Sequence, residues 1–129
     1  MFKVKIITPQ AKVRYLETSI LNIVTPQGEM GILSNHMPIV TMISISRMST
    51  IEANGRMNYA LVGGVLFFND NEATILTDAI ENQTEIDLER AVAAKTRAED
   101  YLKAKDLGID IKRAEVALRK AINRINVKG

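Results

Sequence analysis

Apolar residues recur in twos over the first eighty positions. Phe2, Val4 and Ile6 alternate with Lys3 and Lys5, which predicts a strand with one buried face. Pro9-Gln10 ends it. Val13–Leu16 and Ile20–Val24 follow as short strands, the latter stopped by Thr25-Pro26-Gln27-Gly28. Gly31–Leu33 and Ile39–Ile45 are separated by Ser34-Asn35-His36-Met37-Pro38. Arg47–Ala53 and Arg56–Val62 flank Asn54-Gly55, whose residues accept the positive φ of a tight hairpin turn. Val65–Asn69 and Ala73–Thr77 flank Asp70-Asn71-Glu72. Short strands at this spacing predict an antiparallel β-sandwich of about ten strands over residues 1–84.

From about Asn82 the period changes. Helix formers dominate, and Gly108 is the one glycine between Asp87 and Lys128. Asp87 is placed to cap a first helix whose apolar face is Leu88, Ala91, Ala94, Ala98 and Leu102. Leu107-Gly108 ends that helix and Asp110 caps a second, with Ile111, Ala114, Leu118, Ala121, Ile122 and Ile125 as its stripe. Residues 85–129 thus read as an antiparallel helical hairpin, and the chain as α+β. The seam is largely alanine. A buried methyl contributes about 0.8 kcal/mol, whereas ordering one residue's backbone costs about 1–2 kcal/mol. Such a hairpin needs the sandwich, a partner or a ligand to hold one pose, the profile of a movable element.

Charge sharpens this division. Net charge is +2, but residues 1–84 carry six Lys/Arg against seven Asp/Glu, and residues 85–129 carry eleven against eight. The basic excess is too small, and Tyr101 too isolated, for a nucleic-acid surface. With no cysteine and one histidine, His36, no metal cluster is expected. No nucleophile–base pair stands out, and Gly63-Gly64 lacks the rest of a phosphate loop, so it reads as a turn or bulge between strands. The alternating N-terminus is no signal peptide, and no run approaches the roughly 20 apolar residues of a membrane helix. A cytoplasmic protein, held at a membrane only through a partner, is expected.

Several segments then carry a family resemblance. Gly28-Glu29-Met30-Gly31-Ile32-Leu33-Ser34-Asn35-His36-Met37-Pro38 resembles the G-E-x-G-I-L-P-G-H-x-P signature of ATP synthase epsilon subunits, with Ser34-Asn35 in place of the usual Pro-Gly. Val62-Gly63-Gly64-Val65-Leu66 resembles their S-G-G-F-L turn, Ala73–Asp78 their V-T-I-L-A-D strand, and Ile86-Asp87-Leu88-Glu89-Arg90-Ala91 their I-D-x-x-R-A motif. Asp110–Glu115 through Asn123-Arg124 resembles the second helix of the long bacterial form.

The resemblance implies a non-catalytic central-stalk subunit of the F-type proton-translocating ATP synthase, peripheral on the cytoplasmic face of the cell membrane. It implies the gamma subunit, the c-ring and the catalytic alpha and beta subunits as partners. A mobile hairpin would inhibit ATP hydrolysis when extended. Glu29 and His36 would lie at partner contacts, and the loop with Ser34-Asn35 would be less constrained than the family's. No cofactor is required. ATP is implied as a regulatory ligand at Glu81, Ile86, Asp87, Arg90, Ala91, Arg97, Lys120 and Arg124. Arg90 and Arg97 share one face of the first helix, as do Arg113, Lys120 and Arg124 on the second, so cations converging on a polyphosphate are chemically sound. Lys120 keeps the charge but not the planar fork of the arginine found in ATP-binding members. A solvated basic face is the plainer reading of these residues, and a free-standing ATP-sensing module the alternative function.

Overall fold

The computed structural model describes residues 1–10, 12–104 and 110–129. The strands are β1 (Phe2–Ile7), β2 (Val13–Thr18), β3 (Ile20–Thr25), β4 (Gly28–Leu33), β5 (Ile39–Glu52), β6 (Gly55–Asn69), β7 (Glu72–Leu76) and β8 (Ile80–Asn82). Two helices follow, α1 (Leu88–Ala104) and α2 (Ile111–Lys128). The described strands number eight where about ten were expected. Two mergers and one added strand account for the difference. Segments 39–45 and 47–53 form the single strand β5, and 56–62 and 65–69 the single strand β6. β8, which the period did not reveal, pairs with β6.

The strands run in the order β2-β1-β7-β6-β5-β3-β4. All pairings are antiparallel except β1 with β7, which is parallel and departs from the expected all-antiparallel sandwich. β5 and β6 are long enough to serve both layers. β2, β1, β7 and the halves of β6 and β5 near residues 65–69 and 39–43 make the first layer. β4, β3, the other halves of β5 and β6, and β8 make the second. The bend falls at Gly63-Gly64, with φ of 64° and 136°, where the Ser44–Gly63 step is missing from the ladder. These glycines therefore bend a strand without ending it. A Cβ on Gly64 would overlap the Leu76 carbonyl, so the close crossing of β6 and β7 requires glycine there.

Alternation places Phe2, Val4, Ile6, Leu21, Ile23, Ile32, Met48, Leu61, Leu66, Phe68 and Ile75 between the layers, each almost fully buried. Thr18 closes one side. Its buried hydroxyl donates to the Ile20 carbonyl at 2.6 Å and accepts the Ile51 amide at 3.0 Å, tying the β2–β3 corner to β5.

Both expected helix caps form. Asp87 Oδ1 accepts the Arg90 amide at 3.2 Å and Asp110 Oδ1 the Arg113 amide at 3.1 Å. The turn expected at Leu107-Gly108 lies outside the described residues. The helix–helix seam is narrower than the apolar stripes suggest. Ala91 and Ala98 are buried in α1, and Ala114 and Ala121 in α2, while Leu88, Ile111 and Ile122 remain 45%, 56% and 37% exposed. Small residues let the helices approach closely, which leaves the larger side chains at the rim. α2 in turn lies on the outer face of the second layer, against β5 and β6.

Candidate functional site

The junction between α2 and the sheet gathers part of the expected nucleotide set. Arg124, half-buried, places Nε 2.7 Å from Glu81 Oε1 and donates from an Nη to Oε2 at 3.2 Å. Glu81 is in β8, beside β6, so this pair links hairpin and sandwich directly. Ile86 is 3% exposed and forms a small apolar cluster with Ala60 of β6 and Val127 of α2. Asn123 donates from Nδ2 to the Ser46 carbonyl at 2.9 Å. Lys128 Nζ donates to the Gln83 carbonyl at 3.1 Å.

The other expected residues divide. Ala91 is fully buried in the helix seam, so its side chain serves packing. Asp87 meets Arg90 through the backbone cap. Among the described residues the ion pairs are Arg14–Glu85 and Arg124–Glu81. Arg90 and Arg97 are exposed and Lys120 is half-buried. Seven residues of helix separate Arg90 from Arg97, about 10 Å along the axis. Arg97 lines a separate groove at the far end of the hairpin with Tyr101, Asp110 and Arg113. The structure thus joins Glu81 to Arg124 beside Ile86 and leaves Arg97 at a distance.

The segment leading into α1 is pinned to the sandwich. An Nη of Arg14 donates to Glu85 at 2.8 Å, and Asn82 Oδ1 accepts the Thr84 and Glu85 amides, each at 2.9 Å. The Gln83 amide donates to the Asn58 carbonyl at 2.9 Å. Any swing of the hairpin must therefore turn beyond Glu85.

His36 takes a packing role. Its ring stands edge-on to Phe68, with centroids 5.9 Å apart, and Nδ1 lies 2.7 Å from the Met37 carbonyl oxygen. The preceding Asn35 adopts φ 63° and donates its amide to Asn71 Oδ1 at 2.7 Å. Asparagine here fills the left-handed position that glycine would, and the contact to the β6–β7 turn restrains a loop expected to be less constrained. Glu29 is exposed on β4, opposite Val24 of β3.

Within the second layer's end, Glu52 accepts from the Tyr59 hydroxyl at 2.6 Å and also from Thr50. Burial, and then the Glu52 carboxylate bonded to it, hold the Tyr59 hydroxyl well above the usual phenol range.

The first layer presents a feature of a different kind. One end of its outer face is largely apolar and uncovered. In cross-strand register, Met42, Val65, Leu76, Ile7 and Val13 form one row, and Val40, Phe67, Thr74, Lys5 and Tyr15 the next. Five strands at about 4.8 Å spacing make the rows about 19 Å wide. Val40 and Met42 are 66% and 62% exposed, and Tyr15 66%, so no part of the described chain covers this face. Contiguous apolar surface of this extent marks a contact site.

Comparison with known proteins places these features. Residues 1–83 match the family described as ATP synthase, delta/epsilon chain, beta-sandwich domain, and residues 84–129 its long alpha-helix domain. The ATP synthase epsilon chain of Pediococcus pentosaceus is 39% identical, over 96% of this chain and 92% of its own. This chain belongs to the ATP synthase epsilon family. The epsilon chain of Bacillus velezensis is also 39% identical, over 98% of this chain and 96% of its own. Among solved structures, a chain of the Euglena gracilis mitochondrial ATP synthase, determined with OSCP, F1 and c-ring, superposes with a TM-score of 0.75 at 23% identity, covering 93% of this chain and 76% of that one. That likeness is one of fold.

Reasoning from this epsilon-family sequence missed the apolar face. The residues that form it are spread over five strands, and only the pairing brings them into rows. The sequence signal was adjacent apolar residues within strands, Val65-Leu66-Phe67-Phe68 in β6 and also Ile75-Leu76, Ile39-Val40 and Ile6-Ile7, which supply side chains to both faces.

Proposed function

We propose that this chain is the non-catalytic epsilon subunit of an F-type ATP synthase and couples c-ring rotation to the catalytic head. The observation that carries the reading is the bare apolar face of the first layer. A free-standing nucleotide sensor would leave eight strand positions of hydrophobic sheet in or near water, whereas a stalk subunit buries them against a permanent partner. In this reading the face made by Met42, Val65, Phe67 and Leu76 seats on the gamma subunit. The end of the sandwich near Glu29 approaches the c-ring, and His36 shapes the adjoining loop. The subunit is peripheral, on the cytoplasmic side of the cell membrane, and carries no catalytic residue. Co-purification tests it. The wild-type chain should bring down gamma, and Met42→Asp with Phe67→Asp should abolish capture while the chain stays folded. Undiminished capture by the double variant would refute this use of the face.

The hairpin supplies regulation. Docked, it is attached by the Ala60–Ile86–Val127 cluster, the Arg124–Glu81 pair and a few hydrogen bonds. A half-exposed ion pair is worth about 0–1 kcal/mol, so these links are individually modest. Released, α2 would extend toward the catalytic alpha and beta subunits and oppose ATP hydrolysis, presenting Lys112, Arg113, Arg119, Lys120 and Arg124. ATP bound across Arg90, Lys120 and Arg124 would favour the docked pose, by about 2.7 kcal/mol at a hundredfold excess over Kd. The phosphates would share or displace Glu81 at Arg124. Asp87 and Ile86 would flank the nucleotide, and Arg97 would meet only a part of it that extends along the hairpin. What supports this is the position of Arg124 with Glu81 beside Ile86 at the docking junction, together with the weak attachment that gives a ligand leverage.

A further inference from the structure

A second polar site lies beside this junction, where the outer surface of β3–β6 meets the last turns of α2. It is a cleft of about 680 Å³. We propose that this cleft is an oxyanion site that takes a free phosphate or diphosphate and clamps the end of α2 to the sheet.

Arg47 of β5 and Arg56 of β6 both line it, and neither has a carboxylate within ion-pair distance among the described residues. Each is nonetheless held. An Nη of Arg47 donates to the Asn126 carbonyl of α2 at 3.1 Å, and an Nη of Arg56 donates, more loosely, to Ser49 Oγ at 3.4 Å. Ser49 is 4% exposed and also accepts from Asn22 Nδ2 at 3.2 Å. With two donors on its oxygen, its own O–H is left to donate. Two guanidinium groups, partly ordered before any ligand arrives, thus share one cleft with a buried hydroxyl, and most of their N–H donors have no protein partner among the described residues. That donor set suits a tetrahedral oxyanion through charge-assisted hydrogen bonds. Glu29 on the rim leaves the walls with a net charge of only +1, which favours a small anion at the arginines over a large acidic surface. None of the lining residues is aromatic, so the cleft has no platform on which a base would stack, and a free phosphate fits it better than a nucleotide.

Arg47 and Arg56 both belong to the sheet, and α2 reaches the cleft through Asn123 and Asn126, so an anion at the arginines bridges the docking interface only through Asn126, whose carbonyl accepts from Arg47 and whose side chain lines the same cleft. It would bind the docked arrangement in preference to the released one. This consequence rests on the mobile hairpin proposed above, whereas binding itself does not.

The test is calorimetric titration of the full chain with inorganic phosphate, with diphosphate and with ADP, followed by hydrogen exchange of the residue 123–127 amides. Saturable binding of phosphate or diphosphate is expected. Arg56→Gln, which leaves the α2 contacts intact, and Arg47→Gln should each weaken it at least about tenfold. The ligand should slow exchange at 123–127 in the wild type. Absence of saturable heat up to about 10 mM phosphate or diphosphate overturns the site. So does binding that survives Arg56→Gln, binding that Arg90→Gln abolishes instead, or binding seen only with ADP. Tight binding with unchanged exchange at 123–127 overturns the clamp.

Discussion

Replacing Val127 by alanine should loosen the hairpin without weakening the sandwich. Val127 is 4% exposed and meets Ala60 and Ile86 in a cluster separate from the main core. The substitution removes two buried carbons, about 1.6 kcal/mol of transfer free energy, and a little more if the small cluster cannot close over the gap. Alanine's better helix propensity returns up to about 0.6 kcal/mol. The net loss is about 1–2 kcal/mol, a factor of about 5–30 in the equilibrium between docked and released α2. Amide hydrogen exchange reads this directly. Amides within α2 should exchange faster by about that factor, while those of the core strands, such as Ile6 and Leu66, keep their wild-type rates. Arg119→Ala is the internal control, since Arg119 is exposed on the same helix and the effect should stay within about 0.5 kcal/mol. If Val127→Ala instead accelerates sheet and helix amides equally, the hairpin has no opening of its own. If it changes neither, the cluster does not hold the dock. Either outcome would refute the reasoning from a weakly attached α2.

Three further expectations concern the sandwich and the nucleotide. Gly64→Ala should destabilise the chain by about 3 kcal/mol or more, because a disfavoured φ of 136° is joined by overlap with the Leu76 carbonyl; Gly63→Ala, with φ 64° and its nearest neighbour 3.4 Å away, should cost about 1–2 kcal/mol, and equal midpoints in urea unfolding followed by circular dichroism would contradict the argument. Tyr59 has its folded pKa raised above the ordinary value of 10.0, so its contribution is fully present below about pH 10 and is lost as pH rises through the folded value; the wild type should lose up to about 1.4 kcal/mol per pH unit above pH 10 relative to Tyr59→Phe, and parallel stability–pH curves would dismiss the shift. Arg90→Ala should weaken ATP binding by about 1.5–3 kcal/mol in titration calorimetry, with and without magnesium, and a wild-type chain that gives no heat would end the nucleotide reading.

Much of the fold was legible because local rules and the final structure agree. The β5–β6 hairpin forms where Asn54-Gly55 marks it, but one residue earlier: the turn is Ala53-Asn54, Gly55 pairs with Glu52, and Gly55 alone of the pair has positive φ, at 105°. Asp87 and Asp110 cap the helices they precede, and the alanines at seven-residue spacing form the seam. What escaped depends on contacts distant in sequence. Arg14 meets Glu85 across 71 positions, and β8 exists only because β6 offers it an edge. The split of β6 failed for a related reason: a glycine pair breaks a periodic pattern in sequence whether it ends a strand or bends one, and only the crossing with β7 distinguishes the two, while β5, split at Ser46 with no glycine, is continuous because both its halves pair with β6. At the candidate nucleotide site, helical spacing put Arg90 and Arg97 on one face but could not show that docking gathers Arg124 with Glu81 and leaves Arg97 in another groove.

The two outer faces of the sandwich differ in a way that bears on its mechanics. The layer under α2 carries a polar row in register, Asn22, Ser49 and Asn58, and meets the helix through one alanine and a few directional bonds. The layer left open carries Met42, Val65, Leu76, Ile7 and Val13 side by side. Polar groups that lose a helix are rehydrated at little cost, whereas bare apolar sheet gains about 25 cal/mol for every Å² removed from water. A cover that must come and go belongs on the polar face, and a partner that must stay belongs on the apolar one. The distribution of side chains between the two layers therefore separates a releasable intramolecular contact from a lasting intermolecular one, within a single small sandwich.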